Sequence, residues 1–303
     1  MAGICEGRVV VVTGAGRGLG REYALALAAE GAKVVVNDLG VGTHGETGTG
    51  ERPAQEVVDV IKSRGGEAVA NYDDVADFDA AKGIIDAAVA AFGDLHAVVN
   101  NAGFVRDRMF VSCTPDEWDA VIRVHLRGHF CVSSWACQYW RGQQKQGKPV
   151  DARIINTSSG AGLQGSVGQS AYSAAKGGIA SLTLVQAAEL ARYGITANAL
   201  APAARTRMTE TAFADAMKAP ETGFDVNDPA NIAPAIVWLA SADSKDVTGQ
   251  VFELKGGTIM LSEGWRDGPG KDIGRRWQPK DVGPAVRALL AARTPPKPVW
   301  GSQ

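Results

Sequence analysis

The chain is short of the features that would place it outside the cell, in a membrane or on nucleic acid. It has only four cysteines in 303 residues, Cys5, Cys113, Cys131 and Cys137. They form no C-x-x-C pair and no disulfide framework, which suits a reducing cytosol. Charge is nearly balanced, with 31 Lys and Arg against 33 Asp and Glu for a formal net charge of −2. Such a balance gives a polyanion nothing to bind, so nucleic acid is not an expected partner. Long apolar runs are missing too. The stretches 121–140 and 171–190 are broken by Arg123, Arg127, Lys176 and Glu189, so no membrane span is expected. A first strand beginning at Arg8 leaves no room for a secretory leader. The ending Gly301-Ser302-Gln303 is not a peroxisomal tripeptide. A soluble, cytoplasmic protein is expected. His125 and His129 stand at i and i+4, but no Cys or carboxylate is arranged to complete a site with them, so no metal is expected.

What is present is alternation. β-branched apolar runs at 8–12, 33–37, 68–72, 95–99, 153–157, 195–200 and 250–254 read as strands. Helical patterns fill 21–30, 53–64, 77–92, 115–145, 171–193 and 229–240 between them, with no internal repeat. Strands alternating with helices predict an α/β fold, a Rossmann-type doubly wound parallel sheet of about seven strands with helices on both faces. At 45% hydrophobic the chain can bury one large core. Residues 1–263 are expected to form that domain, with the catalytic site. Residues 264–303, with one helical patch at 282–292 and an extended Pro295-Pro296 and Pro298, are expected to pack on it or on a partner subunit. The glycine-rich segment 41–52 reads as a loop near the adenosine end, either plain surface or a cofactor or partner contact.

The first strand runs into Thr13-Gly14-Ala15-Gly16-Arg17-Gly18-Leu19-Gly20 and then a helix. Strand, glycine turn and helix N-terminus together hold a pyrophosphate on free backbone N–H groups and the helix dipole. The common G-x-G-x-x-G spacing does not fit, because its third glycine would fall on Leu19. Asp38 ends the second strand, where a carboxylate accepts from a ribose diol and repels a 2′-phosphate. That favours NAD over NADP. Arg17 argues weakly the other way, and Asp38 has a plainer reading as a turn residue before Gly40. Asp74-Val75 falls where an adenine edge would be met. Asn100-Asn101-Ala102-Gly103 ends a further strand with small and amide residues, allowing backbone to approach the ribose and nicotinamide.

The chemistry sits in Tyr172 and Lys176, four apart on one helix face, with Ser159 at a strand's carboxyl end. A nearby ammonium is expected to pull the tyrosine pKa below its usual value of about 10, so that the phenol can exchange a proton with an alcohol. By itself the spacing is better read as one solvated Lys and one packed Tyr, since Y-x-x-x-K is common by chance.

Together these segments resemble the short-chain dehydrogenase/reductase family over about residues 5–260. The matching pieces also include Asn198-Ala199-Leu200-Ala201-Pro202, Val247-Thr248-Gly249-Gln250 and Gly256-Gly257. The resemblance implies Ser159, Tyr172 and Lys176 as catalytic residues. It implies cofactor contacts from Gly14, Arg17, Gly18, Leu19, Gly20, Asp38, Asp74, Val75, Asn101, Ala102, Gly103, Tyr172, Lys176, Pro202 and Thr206. A fourth catalytic position, Asn in most members, is His125 here. In the family its backbone carbonyl helps hold a water that relays protons behind the lysine. A His backbone could do the same, while its imidazole could instead titrate near pH 6.5.

A narrower likeness is to the (3R)-hydroxyacyl-CoA dehydrogenase domain of peroxisomal multifunctional enzyme type 2. It rests on Asn37-Asp38-Leu39-Gly40, Ala70-Asn71-Tyr72-Asp73, Arg106-Asp107-Arg108, Val124-His125-Leu126-Arg127-Gly128 and Arg207-Met208-Thr209. Pro202-Ala203 replaces the family's usual Pro-Gly. The implied reaction is NAD-dependent interconversion of a secondary alcohol and a ketone, with a 3-hydroxyacyl-CoA or similar thioester as substrate. Arg106, Arg108, Arg205 and Arg207 are candidates for CoA phosphates. A 3-oxoacyl-carrier-protein reductase, a hydroxysteroid dehydrogenase and a non-catalytic dinucleotide-binding protein are the alternatives. The long helices 115–145 and 171–193 correspond to the family's subunit-packing helices, which implies a homodimer or homotetramer.

Overall fold

A computed structural model describes residues 3–42, 52–206, 217–264 and 266–302. Its core starts with Val9–Thr13 (β1), in which Val10, Val11 and Val12 are fully buried. Side chains alternate across a strand. Val10 and Val12 therefore join Val34 and Val36 against one helical layer, with Tyr23, Leu27, Ile61 and Ile236. Val9 and Val11 join Val35 and Val98 against the other, with Ile84, Val132 and Trp140. Burying each valine removes it from water for roughly 1.5–3 kcal/mol. A run of four is legible as a central strand because both faces are covered.

Helices Gly18–Ala29 (α1), Pro53–Ser63 (α2) and Phe78–Phe92 (α3) alternate with strands Lys33–Asn37 (β2), Glu67–Asn71 (β3) and Ala97–Asn100 (β4). Then come Pro115–Ile122 (α4), Gly128–Lys145 (α5), Ala152–Thr157 (β5), Gly160–Gln164 (α6), Ser170–Leu190 (α7) and Ile195–Ala203 (β6). A helix at Ala233–Ala240, strands Val251–Lys255 (β7) and Thr258–Leu261 (β8), and a helix at Pro279–Ala292 complete the described chain. The sheet order is β3-β2-β1-β4-β5-β6-β7-β8. Pairings from β3 to β7 are all parallel. The order reverses between β1 and β4, where the two halves meet, and ligands of such sheets bind at that crevice.

Two expectations need correction. The sheet has eight strands, because Gly256-Gly257 turns the chain and β8 runs antiparallel to β7. A two-residue Gly-Gly loop is a hairpin signal, but β8 is exposed along its whole length and so has no buried pattern to read. The helix expected over 115–145 runs unbroken but is not α-helical throughout: Arg123–Arg127 is a π-helical turn between α4 and α5. Most of the 41–52 loop, and Arg207, Met208 and Thr209, fall outside the described residues.

Candidate active site

The site begins where β1 and β4 end side by side. Thr13 Oγ1 accepts from Asn101 N at 3.0 Å and from Ala102 N at 3.1 Å. Asn101 Nδ2 donates back to Thr13 O at 3.0 Å and Gly14 O at 3.1 Å. The two strand ends are thus locked together. Gly14 has φ +62°, and a Cβ on it would stand 2.7 Å from Ala102 Cα. A Cβ on Gly20 would stand 2.6 Å from Asn101 Nδ2. Glycine is required here by neighbouring backbone and by the left-handed turn. Gly18, Leu19 and Gly20 form the first turn of α1, which starts three residues earlier than expected, and first-turn N–H groups have no intrahelical acceptor.

In front of this turn lies a cleft of about 370 Å³. Its walls hold Gly14, Arg17, Gly18, Leu19 and Gly20 from the first turn, and Asp38 from the end of β2. Asp74, Val75, Asn101, Ala102, Gly103 and Thr206 also line it. Pro202, at the end of β6, does not, nor do Ser159, Tyr172 and Lys176. Asp38 has structural duties as well: Oδ2 accepts from Gly16 N and Oδ1 from Gly40 N, each at 2.8 Å. Each carboxylate oxygen has a second lone pair beyond these bonds. Asp74 is likewise engaged, accepting from Ala76 N at 2.8 Å and pairing with Arg123 at 2.7 Å. Arg123 is a cleft residue that the sequence did not flag, because the π turn places it. A glycine cradle, a free helix N-terminus and a carboxylate at the end of β2 fit a dinucleotide.

The chemistry-bearing corner is built by β5 and α7. Lys176 is 2% exposed, and its Nζ donates to Thr157 O at 2.6 Å. The Thr157 carbonyl is a partner no sequence motif could name, since every residue carries one. Burial pulls the Lys176 pKa down to about 7. Ser159 follows β5 and caps α6, accepting from Ala161 N at 3.2 Å. Its hydroxyl is close enough to Tyr172 to draw the phenol pKa down. Lys176 Nζ stands 5.6 Å from the Tyr172 ring centroid. The expected lysine-depressed tyrosine is corrected: desolvation dominates and pushes Tyr172 up, while the neighbouring Ser159 hydroxyl pulls it down. The ammonium is turned toward the Thr157 carbonyl, and its own charge is destabilised by the same burial.

His125, inside the π turn, is 1% exposed. Its ring stands edge-on to Tyr172 with centroids 5.2 Å apart, and its Nε2 lies 2.7 Å from Phe104 O. Burial, helped by the charge of Lys176, lowers its pKa to about 3. Burial thus holds this imidazole neutral near pH 7, its pKa below the range in which an ordinary histidine titrates. The backbone carbonyl of His125 accepts from His129 Nδ1 at 2.7 Å, and His129 Nε2 accepts from Thr157 N at 3.2 Å. Two backbone groups thus fix the His129 tautomer and occupy both its nitrogens. The His125 carbonyl also accepts from Gly128 N, so both of its lone pairs are engaged. His129 connects it to Thr157, the residue whose carbonyl holds Lys176, a link with no local signal in the sequence.

A model of the short chain dehydrogenase family matches residues 8–217. Hydroxyacyl-CoA dehydrogenase ChsB1 of Mycobacterium tuberculosis is 42% identical over 297 residues, covering 96% of this chain and 90% of that protein. Peroxisomal multifunctional enzyme type 2 of Mus musculus is 43% identical over 274 residues, 90% of this chain but 35% of that longer protein. The crystal structure of a short chain dehydrogenase from Mycobacterium avium has a TM-score of 0.90 and 57% identity, over 99% of this chain and 100% of that one.

Proposed function

The chain belongs to the short chain dehydrogenase family, as an oxidoreductase acting on CH–OH groups, and we propose that it interconverts a 3-hydroxyacyl-CoA, or a similar thioester, and the 3-oxo form with NAD. The observation that carries the catalytic assignment is the meeting of Ser159, Tyr172 and Lys176 at the end of β5, with His125 between Tyr172 and the cleft residue Gly103. Bound NAD+ supplies a hydride acceptor for the alcohol carbon. Ser159 Oγ holds the substrate oxygen, and Tyr172 Oη takes the hydroxyl proton in oxidation or returns it in reduction. Lys176 stands beside the Tyr172 ring, held in place by Thr157 O, and is proposed to hold the nicotinamide ribose.

NAD is favoured by Asp38, whose charge at the end of β2 opposes a 2′-phosphate. Gly14, Arg17, Gly18, Leu19, Gly20, Asp74, Val75, Asn101, Ala102, Gly103, Pro202 and Thr206 are proposed as the remaining cofactor contacts. The thioester reading is supported by the hydroxyacyl-CoA dehydrogenase name of the mycobacterial relative. Among the arginines proposed for CoA, Arg108 is paired with Glu117 at 2.9 Å and Arg205 with Asp225. Arg106 borders the cleft, stacked at 5.4 Å over Phe104, and is the better candidate. A homo-oligomer fits the half-exposed Phe130, Leu184 and Val185 on α5 and α7. A cytoplasmic setting fits the four free thiols. A turnover screen of (3R)- and (3S)-hydroxyacyl-CoAs and hydroxysteroids with NAD+ and NADP+ tests the reading. Preference for a hydroxysteroid, or for NADP+, would overturn it.

A further inference from the structure

The end of the chain returns to the catalytic edge. After the helix Pro279–Ala292, Lys297 pairs with Glu253 on β7 at 2.7 Å. The following residues run along the segment that joins Ser159 to Tyr172. Gln164 Nε2 donates to Pro298 O at 3.2 Å. Trp300 N donates to Gly165 O at 3.2 Å, and Val167 N donates to Trp300 O at 2.8 Å. These bonds form a parallel bridge between Ser166 and Trp300. The same segment is bonded to the loop after β4, where Arg108 N donates to Gly168 O at 2.7 Å. Two parts of the chain remote in sequence thus frame one stretch of the site.

The side chain of Trp300 comes closer still. Gly160 directly follows Ser159, and the three atoms nearest to a Cβ built on it all belong to the Trp300 indole. Cζ2 would be 2.6 Å away and Cη2 nearer. Gly160 does not have a positive φ, so the indole, not the backbone, is what bars a side chain there. Ser159 caps α6, a five-residue helix. A helix that short has almost no stability of its own, so the aim of its cap residue depends on what packs against it. A Trp ring supplies a large rigid contact of that kind.

We propose that Trp300 is a positioning residue: its indole on Gly160 holds the serine loop so that Ser159 stays directed at Tyr172. The inference rests on the reading of Ser159 and Tyr172 as the catalytic pair. It makes residues 297–302 part of the frame of the active site, although they lie beyond the matched family region.

The test uses the full chain with Trp300→Ala, Trp300→Phe, Gly160→Ala and the double variant Gly160→Ala/Trp300→Ala. Hydrogen exchange over residues 160–169 is followed beside steady-state kinetics and NAD+ affinity. Trp300→Ala is expected to lower kcat roughly 10- to 100-fold, the scale of small misplacements, to speed exchange over 160–169, and to leave NAD+ affinity within about twofold of wild type. Trp300→Phe should restore most of the turnover. Gly160→Ala should impair alone, yet add no further loss on Trp300→Ala, because the clash is then gone. Wild-type kcat in Trp300→Ala, additive losses in the double variant, or an equal loss of NAD+ affinity would each overturn the proposal. Should wild-type protein turn over no alcohol, the catalytic reading fails by itself. Exchange then decides: faster exchange over 160–169 in Trp300→Ala supports the indole as the clamp, and unchanged exchange overturns it.

Discussion

The imidazole of His125 fills the space that any side chain at Gly103 would need. A Cβ on Gly103 would overlap its Cε1 and lie 2.6 Å from Nδ1. The wedge cannot retreat easily, being wholly buried with Tyr172 at its edge and the Phe104 backbone at Nε2. Gly103→Ala should therefore push His125 into Tyr172. We expect a stability loss of about 1–3 kcal/mol, typical of overpacking, with kcat reduced more than NAD+ affinity. Urea denaturation and steady-state kinetics check it; a variant with unchanged kcat contradicts the wedge.

Tyr172→Phe keeps the ring against His125 and removes only the hydroxyl. Turnover should fall by roughly 10²- to 10⁴-fold, the scale of a lost general acid–base group. Melting temperature and NAD+ affinity should stay near wild type. Comparable turnover in the variant would dismiss Tyr172 as the proton-transfer group.

The pH dependence should differ between the two directions. Burial raises the Tyr172 pKa, so at neutral pH the phenol carries its proton. Reduction needs that proton and oxidation needs it gone. Alcohol oxidation should climb with pH through the alkaline range, while ketone reduction should be flat near neutrality and decline only at high pH. A bell centred near pH 6.5 would point to a histidine instead.

Two neutral buried histidines make the fold sensitive to acid. His125 and His129 have pKa values below the ordinary 6.5, His125 at about 3. Below pH 6.5 the unfolded chain binds protons that the folded one does not, so stability falls as pH falls. One pH unit below 6.5 costs about 1.4 kcal/mol per histidine. Urea denaturation at pH 7.5 and 5.5 should show the loss in wild type and a smaller loss in His125→Asn, with His129, His96 and Lys176 contributing the remainder.

Asp38→Ala removes a charge and the acceptor for Gly16 N and Gly40 N. Hydrogen bonds to a charged group are worth about 1.5–3 kcal/mol, so NAD+ affinity and turn stability should both fall. The NAD+ to NADP+ preference, taken as a ratio of kcat/KM, should move toward NADP+ by about tenfold or more. An unmoved ratio would show that Asp38 serves only its turn.

Most of the sheet and the cofactor turn were legible in sequence, since buried parallel strands read as runs like 9–12 and a glycine turn must precede a helix. β8 was not, because an exposed edge strand carries no burial pattern. The π turn was not, because Arg123–Arg127 has the composition of an ordinary helix. That turn brings Arg123 to Asp74 and His125 to Tyr172, so its absence from the sequence reading hid both contacts.

The sequence by itself determined the alternation of strands and helices and the glycine turn, because buried runs and turn residues are local patterns, and it singled out Ser159, Tyr172 and Lys176 as candidates. Only tertiary structure decided their electrostatics. Burial raises Tyr172 and lowers Lys176, against the expectation from their spacing, since desolvation depends on every surrounding atom. It also decided that Trp300 lies on Gly160, a contact between residues 140 positions apart that no local pattern encodes.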